Sequence, residues 1–295
     1  MAKFYYGGQA VVEGVMMRGR KTMATAVRRP DGGVAIDIEP LPSLYSGWPR
    51  RTPLFRGVVV LIEAMSLGIK SLLYSANVSL GEEEGEAVSG GTAWIMVLLS
   101  LVLAVGLFFI APLFLTRLFQ FKSSLVFNLV DGAIRVAIFT VYLKAMTFLP
   151  DIKRVFAYHG AEHKTVNAYE AGVPLEIEAV KKYSTAHTRC GTSFLFAVLI
   201  ISILVFALAG LRSAWQMALS RIVLIPLIAA LSYEFLYFGA RHSHNVLMRI
   251  FLTPGLWLQS LTTREPDDGQ LEVAITALQK VIEMDEAGEP VQTVP

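Results

Sequence analysis

Long runs of apolar residues dominate the middle of the chain. Four of them are long enough to cross a bilayer, because a hydrocarbon core about 30 Å thick requires roughly 20 residues of helix. These runs cover residues 93–115, 126–149, 193–211 and 222–240. The pattern predicts an all-α membrane bundle of about four transmembrane helices, which forms a domain over residues 92–262.

Two further apolar stretches are interrupted. Leu54–Leu73 contains three charged residues, and Leu247–Leu261 contains Arg249 and Pro254. Interrupted stretches of this kind are typical of helices that lie in the membrane interface. We therefore predict an interfacial amphipathic helix over residues 51–78, and we interpret the later stretch as a second interfacial or re-entrant helix.

Lysine and arginine are distributed unequally between the segments that flank the predicted spans. Ten precede the first span and six lie between the second and third, whereas the other two connecting loops carry two each. Loops rich in lysine and arginine stay on the cytoplasmic side. The distribution predicts that both termini and the loop 150–192 are cytoplasmic.

Charged residues inside the predicted spans need partners, because an unpaired charge in lipid is costly. The second span carries Asp131 and Arg135, and the fourth carries Glu234. We expect Glu234 to pair with Arg135 or Arg241.

The N-terminal segment 1–50 is predicted to be a small β element. Ala24–Arg28 and Val34–Glu39 alternate apolar and polar residues on either side of a Pro-Asp-Gly-Gly turn, which predicts a hairpin. Residues 79–91 are acidic and rich in glycine, so we expect a solvated linker there.

The C-terminal segment is predicted to be a soluble helix followed by a tail. Apolar residues recur at helical spacing from Leu271 to Ile282, which predicts a helix within residues 263–284. We expect residues 285–295 to be disordered. With the N-terminal hairpin and the loop 150–192, this helix would form a cytoplasmic α+β head.

Composition supports a membrane protein and argues against other classes. The chain is 54% hydrophobic and only 17% charged, whereas soluble proteins are about a quarter charged. The net charge of +2, without a basic run, gives no indication of nucleic-acid binding. The single cysteine excludes an intramolecular disulfide. The N-terminus lacks the pattern of a cleaved signal peptide, so we expect none.

The segment His159-Gly160-Ala161-Glu162-His163 is the best candidate for chemistry. On a helix, the two imidazoles at i and i+4 share one face and can chelate one metal ion. Glu162 shares that face and could act as a general base, as in the inverted zinc-protease motif H-x-x-E-H. We expect Asp151 to cap the start of this helix. The alternative is a solvated helix whose histidines face water.

A second cluster, His187-Thr188-Arg189-Cys190, lies in the same predicted loop. His187 and Cys190 would complete a tetrahedral nitrogen and sulfur site suited to Zn²⁺ or another divalent metal. Arg189 could stabilise developing negative charge. Four ligands would make the site structural, whereas three ligands and water would make it catalytic. The alternative for Cys190 is a small buried hydrophobic residue.

Two more histidines, His242 and His244, follow the fourth predicted span. They could reach a metal ion, but the pattern favours a polar collar at the level of the lipid headgroups.

Five segments of the chain resemble those of a known family. They are YGGQAVVEGVMMRG, RGVVVLIEAMSLGIKSLLYSA, YHGAEHKTVNAYE, RCGTSF and PGLWLQSLTTREPDD. From Tyr6 to about Ile282, the chain resembles the YqhQ-like family of bacterial membrane proteins. The resemblance implies a bacterial plasma membrane location and a metal-dependent protein, without supplying a reaction. Thr188 stands where we expect a proline, and His242 and His244 lie outside the matching segments.

Three functions are compatible with these observations. The first is a scaffold or membrane-protein assembly factor whose metal stabilises the head, with the lipid bilayer and other membrane proteins as partners. The second is a metal-dependent hydrolase in which His159, His163 and either His187 or Cys190 bind metal, while Glu162 and Arg189 are catalytic. The third, a small transporter, is disfavoured because no internal repeat is visible.

Overall fold

The computed structural model describes residues 4–42, 45, 48–50, 52–81, 90–187, 189–210, 213–241 and 245–287. The strands are β1 (Gly7–Val11), β2 (Gly14–Arg18), β3 (Thr22–Arg28) and β4 (Val34–Pro40). The helices are α1 (Phe55–Leu80), α2 (Gly90–Val105), α3 (Ala111–Arg117), α4 (Ser124–Met146), α5 (Pro150–Glu170), α6 (Ile177–Val180), α7 (Gly191–Ala209), α8 (Ala214–Val223), α9 (Ile225–Arg241), α10 (Val246–Thr262) and α11 (Asp268–Ala287). A π-helical turn over Gly106–Ile110 joins α2 to α3.

The four strands form an antiparallel sheet in the order β1-β2-β3-β4. The predicted hairpin is present as β3 and β4. At its turn, Gly33 N donates to the Asp31 carboxylate at 2.8 Å, and Gly32 has a φ of 90°, which favours glycine. Strands β1 and β2 lie within the predicted β element 1–50, but the sequence did not delimit them, because the segments GGQAV and GVMMR do not alternate clearly between apolar and polar residues.

Helices cover both faces of the sheet. On one face, residues such as Val15 and Met17 share an apolar core with α5 and with Leu271, Ala274 and Leu278 of α11. The predicted C-terminal helix is therefore present. On the opposite face, Met16, Met23 and Val27 pack around Leu67 of α1. We call β1–β4 together with α1, α5, α6 and α11 the head.

Helix α1 buries mainly small and polar residues and exposes large apolar ones, which is the reverse of a helix on the surface of a soluble protein. Its buried positions, Leu67 apart, are small or polar: Gly57, Glu63, Gly68, Ser71 and Ser75. Val12 N of the β1–β2 turn donates to Ser75 Oγ at 3.2 Å, and Ser71 Oγ lies 3.2 Å from Thr25 Oγ1 of β3. Its exposed positions include large apolar residues: Phe55, Ile62, Met65, Leu72 and Leu80. The helix thus faces the sheet with its polar side.

Four helices of the described residues are long and apolar enough to cross a membrane. They are Phe55–Leu80, Trp94–Arg117, Ser124–Met146 and Gly191–Ala209. The last three coincide with the predicted runs 93–115, 126–149 and 193–211. The remaining one is α1, which sequence reasoning interpreted as interfacial.

The fourth predicted run, 222–240, does not form one straight helix. The chain breaks at Leu224, and Trp215–Val223 and Ile225–Gly239 are bent by 47° relative to each other. Pro226 has no N–H to donate to the carbonyl of Ile222, and a proline at such a position kinks or breaks a helix. Taken together, the two pieces qualify as a broken span or a re-entrant loop.

Glu234 has a partner that the sequence did not suggest; the predicted pairing with Arg135 is wrong, and the side chain of Arg241 lies outside what the structure describes. Arg56 Nε at the start of α1 donates to Glu234 Oε1 of α9 at 2.7 Å. Arg135 instead donates to Asp131 at 2.7 Å, and Asp131 also lies 3.2 Å from Arg221 of α8. The sequence does not reveal that α1 packs against α9, so the correct partner of Glu234 could not be chosen.

Several predicted segments lie partly outside the described residues. Helices α1 and α2 extend into the predicted linker 79–91, of which residues 82–89 are not described. Helix α11 continues to Ala287, past the predicted start of the tail at residue 285. Residues 288–295 and the histidines His242 and His244 also lie outside the described residues. The stretch predicted as interfacial or re-entrant near the C-terminus is helical as α10, with Pro254 inside the helix.

Candidate metal centre

Helix α5 carries the H-x-x-E-H segment in the helical form that the sequence predicts. Its start differs from the prediction, because Leu149 is the N-cap and the side chain of Asp151 does not cap the helix. Pro150 instead occupies the first turn, where its missing N–H is tolerated. Gly160 allows a close approach, since a Cβ there would lie 2.0 Å from the carbonyl oxygen of Arg264.

Three side chains that could bind a metal ion converge where α5 of the head meets the start of α7. The candidate ligand atoms of His159, His163 and Cys190 all lie within 4.8 Å of one another. His159 Nε2 is 3.2 Å from Cys190 Sγ. In a tetrahedral zinc site with Zn–N and Zn–S bonds of about 2.0–2.3 Å, the ligand atoms are separated from one another by distances of the same order as those between these three side chains. The donor set of two imidazoles and one thiol suits Zn²⁺.

Backbone carbonyls orient both imidazoles. His159 Nδ1 lies 2.9 Å from the carbonyl oxygen of Thr262, at the end of α10. His163 Nδ1 lies 2.6 Å from that of Thr185. When Nδ1–H donates to a carbonyl, Nε2 becomes the nitrogen that can bind metal, and histidine ligands in proteins are usually fixed in this way.

Cys190 is held at the N-terminus of α7. Thr192 N donates to its sulfur at 3.4 Å, and the start of a helix stabilises a thiolate. Burial alone raises the pKa of the Cys190 thiol, but hydrogen bonds from His159 and His163 hold the pKa well below its usual range. For His159, burial lowers the pKa, but the Cys190 sulfur and Glu162 outweigh it and raise the pKa to about 9. The arrangement therefore favours an ionised Cys190 sulfur beside a protonated His159, and a metal ion bound here would release the proton of His159.

His187 lies outside the group of three. Its Nδ1 accepts from Arg189 N at 3.4 Å, and its Nε2 points to Glu170 at 3.7 Å. Gln259 fixes the backbone of His187, accepting from its N at 3.0 Å and donating to its carbonyl at 3.1 Å. Both ring nitrogens thus have other neighbours, and His187 does not belong to the group whose ligand atoms lie within 4.8 Å of one another.

Glu162 is buried beside the three donors. Its Oε1 accepts from Gly8 N of β1 at 3.1 Å, and its Oε2 has no hydrogen-bond partner among the described residues. Buried carboxylate oxygens are normally bonded, so an unpaired one requires an explanation, and a bound water, an ion or a catalytic role can supply it. A larger residue at Gly8 would displace β1 from β2, because a Cβ there would lie 2.3 Å from the carbonyl oxygen of Met16.

Arg189 is held by two neighbours. Its guanidinium bonds to the Glu170 carboxylate and lies 4.3 Å from the centre of the Tyr5 ring. The sequence predicts that Arg189 stabilises developing negative charge, but the carboxylate of Glu170 already balances its positive charge.

A cavity of about 690 Å³ adjoins the site. The three donors, Glu162 and Arg189 line one part of it, and α1 and β2 line another. His187 also contributes to its wall. Sequence reasoning missed the contributions of Gly8, Thr185, Thr262 and Gln259, because the first three act through backbone atoms that any residue carries.

Fold and site together define a protein with several long apolar helices and a sheet-bearing head that holds a His/His/Cys group. Residues 52–284 match the family described as "Protein of unknown function (DUF1385)", and the chain belongs to this family. It is similar to "Uncharacterized protein YqhQ" of Bacillus subtilis (strain 168), with 34% identity over 301 residues that cover 96% of this chain and 94% of that protein. The YqhQ-like resemblance is thereby confirmed. No solved structure matches the chain.

Proposed function

We propose that this protein is a metal-dependent hydrolase that works at the cytoplasmic surface of the bacterial plasma membrane. One observation carries the proposal. The donors His159, His163 and Cys190 meet at the wall of a cavity that also receives Glu162, whose Oε2 is buried and unpaired among the described residues.

The number of ligands favours catalysis over a purely structural role. Three protein ligands leave one position of a tetrahedral ion open to water or substrate, as in catalytic zinc sites. A closed structural site would need His187 as the fourth ligand, but the ring of His187 faces Glu170 and the Arg189 backbone. The geometry therefore supports the hydrolase better than a scaffold stabilised by metal.

Glu162 has the position and chemistry of a general base. A divalent ion held by the three donors would polarise a substrate carbonyl and make water more acidic. Glu162 accepts a proton from the attacking water and passes it to the leaving group as the bond between carbonyl carbon and leaving group breaks. Its bond to Gly8 N holds one carboxylate oxygen in place, so the other is free for this transfer.

Arg189 is then a positioning residue. Because its guanidinium bonds to Glu170, and its backbone N–H donates to His187, it fixes the segment that leads to Cys190. The charge stabilisation expected from Arg189 would require it to leave Glu170.

The head lies at the membrane surface in this proposal. The outward face of α1 exposes Ile62, Met65 and Leu72, which suits a helix embedded in the interface. Its polar face bonds to the sheet, so α1 does not cross the bilayer. The apolar helices Trp94–Arg117, Ser124–Met146 and Gly191–Ala209 cross it, together with the broken pair α8–α9.

The buried charges of the bundle support anchoring rather than transport. Asp131 and Arg135 of α4 and Arg221 of α8 form one ion-paired group. The ring of Phe206 lies 3.8 Å from the Arg221 guanidinium carbon and covers the group from α7. This group ties three helices together, and a transporter would need such residues along an open path.

The test is the variant Glu162→Gln. It keeps the size of the side chain but cannot accept a proton, so activity should fall by roughly 10²–10⁴-fold, the usual contribution of a positioned acid–base group. Activity is measured as restoration of the phenotype of a deletion strain, with metal content and melting temperature recorded on the purified protein. Metal content and melting temperature should stay close to the wild type.

The matched control is Glu176→Gln, which changes an exposed carboxylate of the head outside the cavity. It should behave as the wild type. Full restoration by Glu162→Gln, combined with loss of folded protein in His163→Ala, would overturn the hydrolase and leave a structural metal site.

A further inference from the structure

The cavity beside the metal centre is separated from the proposed membrane surface by a single helix. Val60, Glu63 and Leu67 of α1 line the cavity, whereas Ile62 and Met65 of the same helix are exposed on its outward side. Ala64 is exposed and also lines the cavity. A ligand that enters past Ala64 therefore comes from the surface where the outward face of α1 meets lipid.

Among the described residues that line this cavity, arginines outnumber carboxylates. Three arginines, Arg18, Arg50 and Arg189, stand against two carboxylates, Glu63 and Glu162. Arg189 is balanced by Glu170. Arg18 and Arg50 share the single carboxylate of Glu63, so this part of the wall keeps an excess of one positive charge.

The remainder of the wall is largely apolar. It includes Met16 of β2, Leu67 of α1 and both Val155 and Phe156 of α5. Guanidinium groups bind phosphate through paired hydrogen bonds, and an apolar wall suits acyl chains. A ligand that satisfies both parts of the wall is an amphiphile with a phosphate headgroup.

We propose that this cavity binds an anionic phospholipid, whose phosphate lies at Arg18 and Arg50 and whose acyl part lies along α1. Its identification as the substrate rests on the hydrolase function proposed above. In that case, an ester carbonyl of the lipid is the group attacked by water, and the products are a free carboxylate and the alcohol of the lysolipid.

The experiment measures binding without chemistry. The Glu162→Gln protein in detergent is mixed with phosphatidylglycerol that carries a fluorophore on its acyl chain. Unlabelled phosphatidylglycerol, phosphatidylcholine and inorganic phosphate are then added as competitors. Phosphatidylglycerol should displace the probe at least tenfold more effectively than phosphatidylcholine, and inorganic phosphate alone should not displace it.

Two pairs of further substitutions locate the site. Ala64→Trp should weaken probe binding at least tenfold by filling the cavity entrance, while Ser66→Trp, exposed on the same helix but outside the cavity, should not. Arg50→Gln should abolish the preference for phosphatidylglycerol, while Arg29→Gln, an exposed arginine of the β3–β4 turn, should leave it intact.

The outcomes separate the lipid site from the hydrolase. Equal displacement by phosphatidylglycerol and phosphatidylcholine, or an unchanged affinity in Ala64→Trp, would overturn the lipid site even if metal binds. The lipid site would also be overturned if an apolar peptide displaced the probe as effectively as phosphatidylglycerol does. Selective lipid binding by a protein that binds no metal would establish the site while removing the hydrolytic reaction.

Discussion

The contacts of His187 and Cys190 distinguish these two candidates for the third ligand of the proposed metal site. The carbonyls of Thr262 and Thr185 hold the imidazoles of His159 and His163. Cys190 meets His159 at 3.2 Å, whereas the ring of His187 is engaged by Glu170 and the Arg189 backbone. The group of side chains that could hold a metal ion therefore contains Cys190 and not His187.

Substitution of the third ligand should weaken Zn²⁺ binding strongly. Cys190→Ser should lower the affinity by more than about 100-fold, because removing a ligand exceeds the roughly 10–100-fold loss that follows removal of a group behind a ligand. His187→Gln should lower it by less than about tenfold. Both are measured by competition with a chromogenic chelator on the purified protein. Equal losses in the two variants would make His187 a ligand as well.

At the scale of elements, the site depends on how closely α5 approaches the segment between α10 and α11. Arg264 N donates to the carbonyl of Phe156 at 2.9 Å, and Gly160 leaves space for the carbonyl of Arg264. Two residues before Arg264, the carbonyl of Thr262 reaches His159. The glycine inside the H-x-x-E-H segment thus brings the orienting carbonyl into place.

Gly160→Ala should disturb both stability and metal binding. The added Cβ would meet a backbone atom at 2.0 Å, and overpacking of this kind costs about 1–3 kcal/mol. Displacement of the Thr262 carbonyl should also weaken Zn²⁺ binding about tenfold or more. Thermal unfolding and chelator competition measure the two effects. Gly91→Ala, whose Cβ meets nothing within 4 Å among the described residues, is the control, and equal behaviour of the Gly160→Ala and Gly91→Ala proteins would contradict the role of Gly160.

At the scale of the whole molecule, the head restricts the path of the chain through a membrane. Both α5 and α11 pack on the sheet formed by residues 7–40, so all three lie on one side. In the proposed topology, the helical segments Trp94–Arg117 and Ser124–Met146 would cross the membrane and return, which would bring the chain back to the side where α1 ends. If α1 also crossed, α5 and the sheet would lie on opposite sides.

Labelling of introduced cysteines tests this topology. Lys153→Cys before the metal centre and Lys280→Cys in α11 should be protected from a membrane-impermeant maleimide in intact cells and become labelled after permeabilisation. Lys122→Cys, in the loop before α4, should be labelled in intact cells. The native Cys190 is buried, with 8% of its surface exposed. Labelling of Lys153→Cys in intact cells would contradict the arrangement.

The sequence by itself determined those features that depend on neighbours along the chain. The apolar runs that became Trp94–Arg117, α4 and α7, the hairpin of β3 and β4, and helix α11 all follow local periodicity. The pairing of His159 with His163 does too, since i and i+4 share a helical face. Tertiary structure alone decided that Cys190 rather than His187 joins them, that Arg56 pairs with Glu234, and that α1 turns its polar face to the sheet. These features depend on contacts between segments that are distant in sequence. Several of the contacts are made by backbone carbonyls and amides. Every residue carries these groups, so they leave no pattern in the sequence.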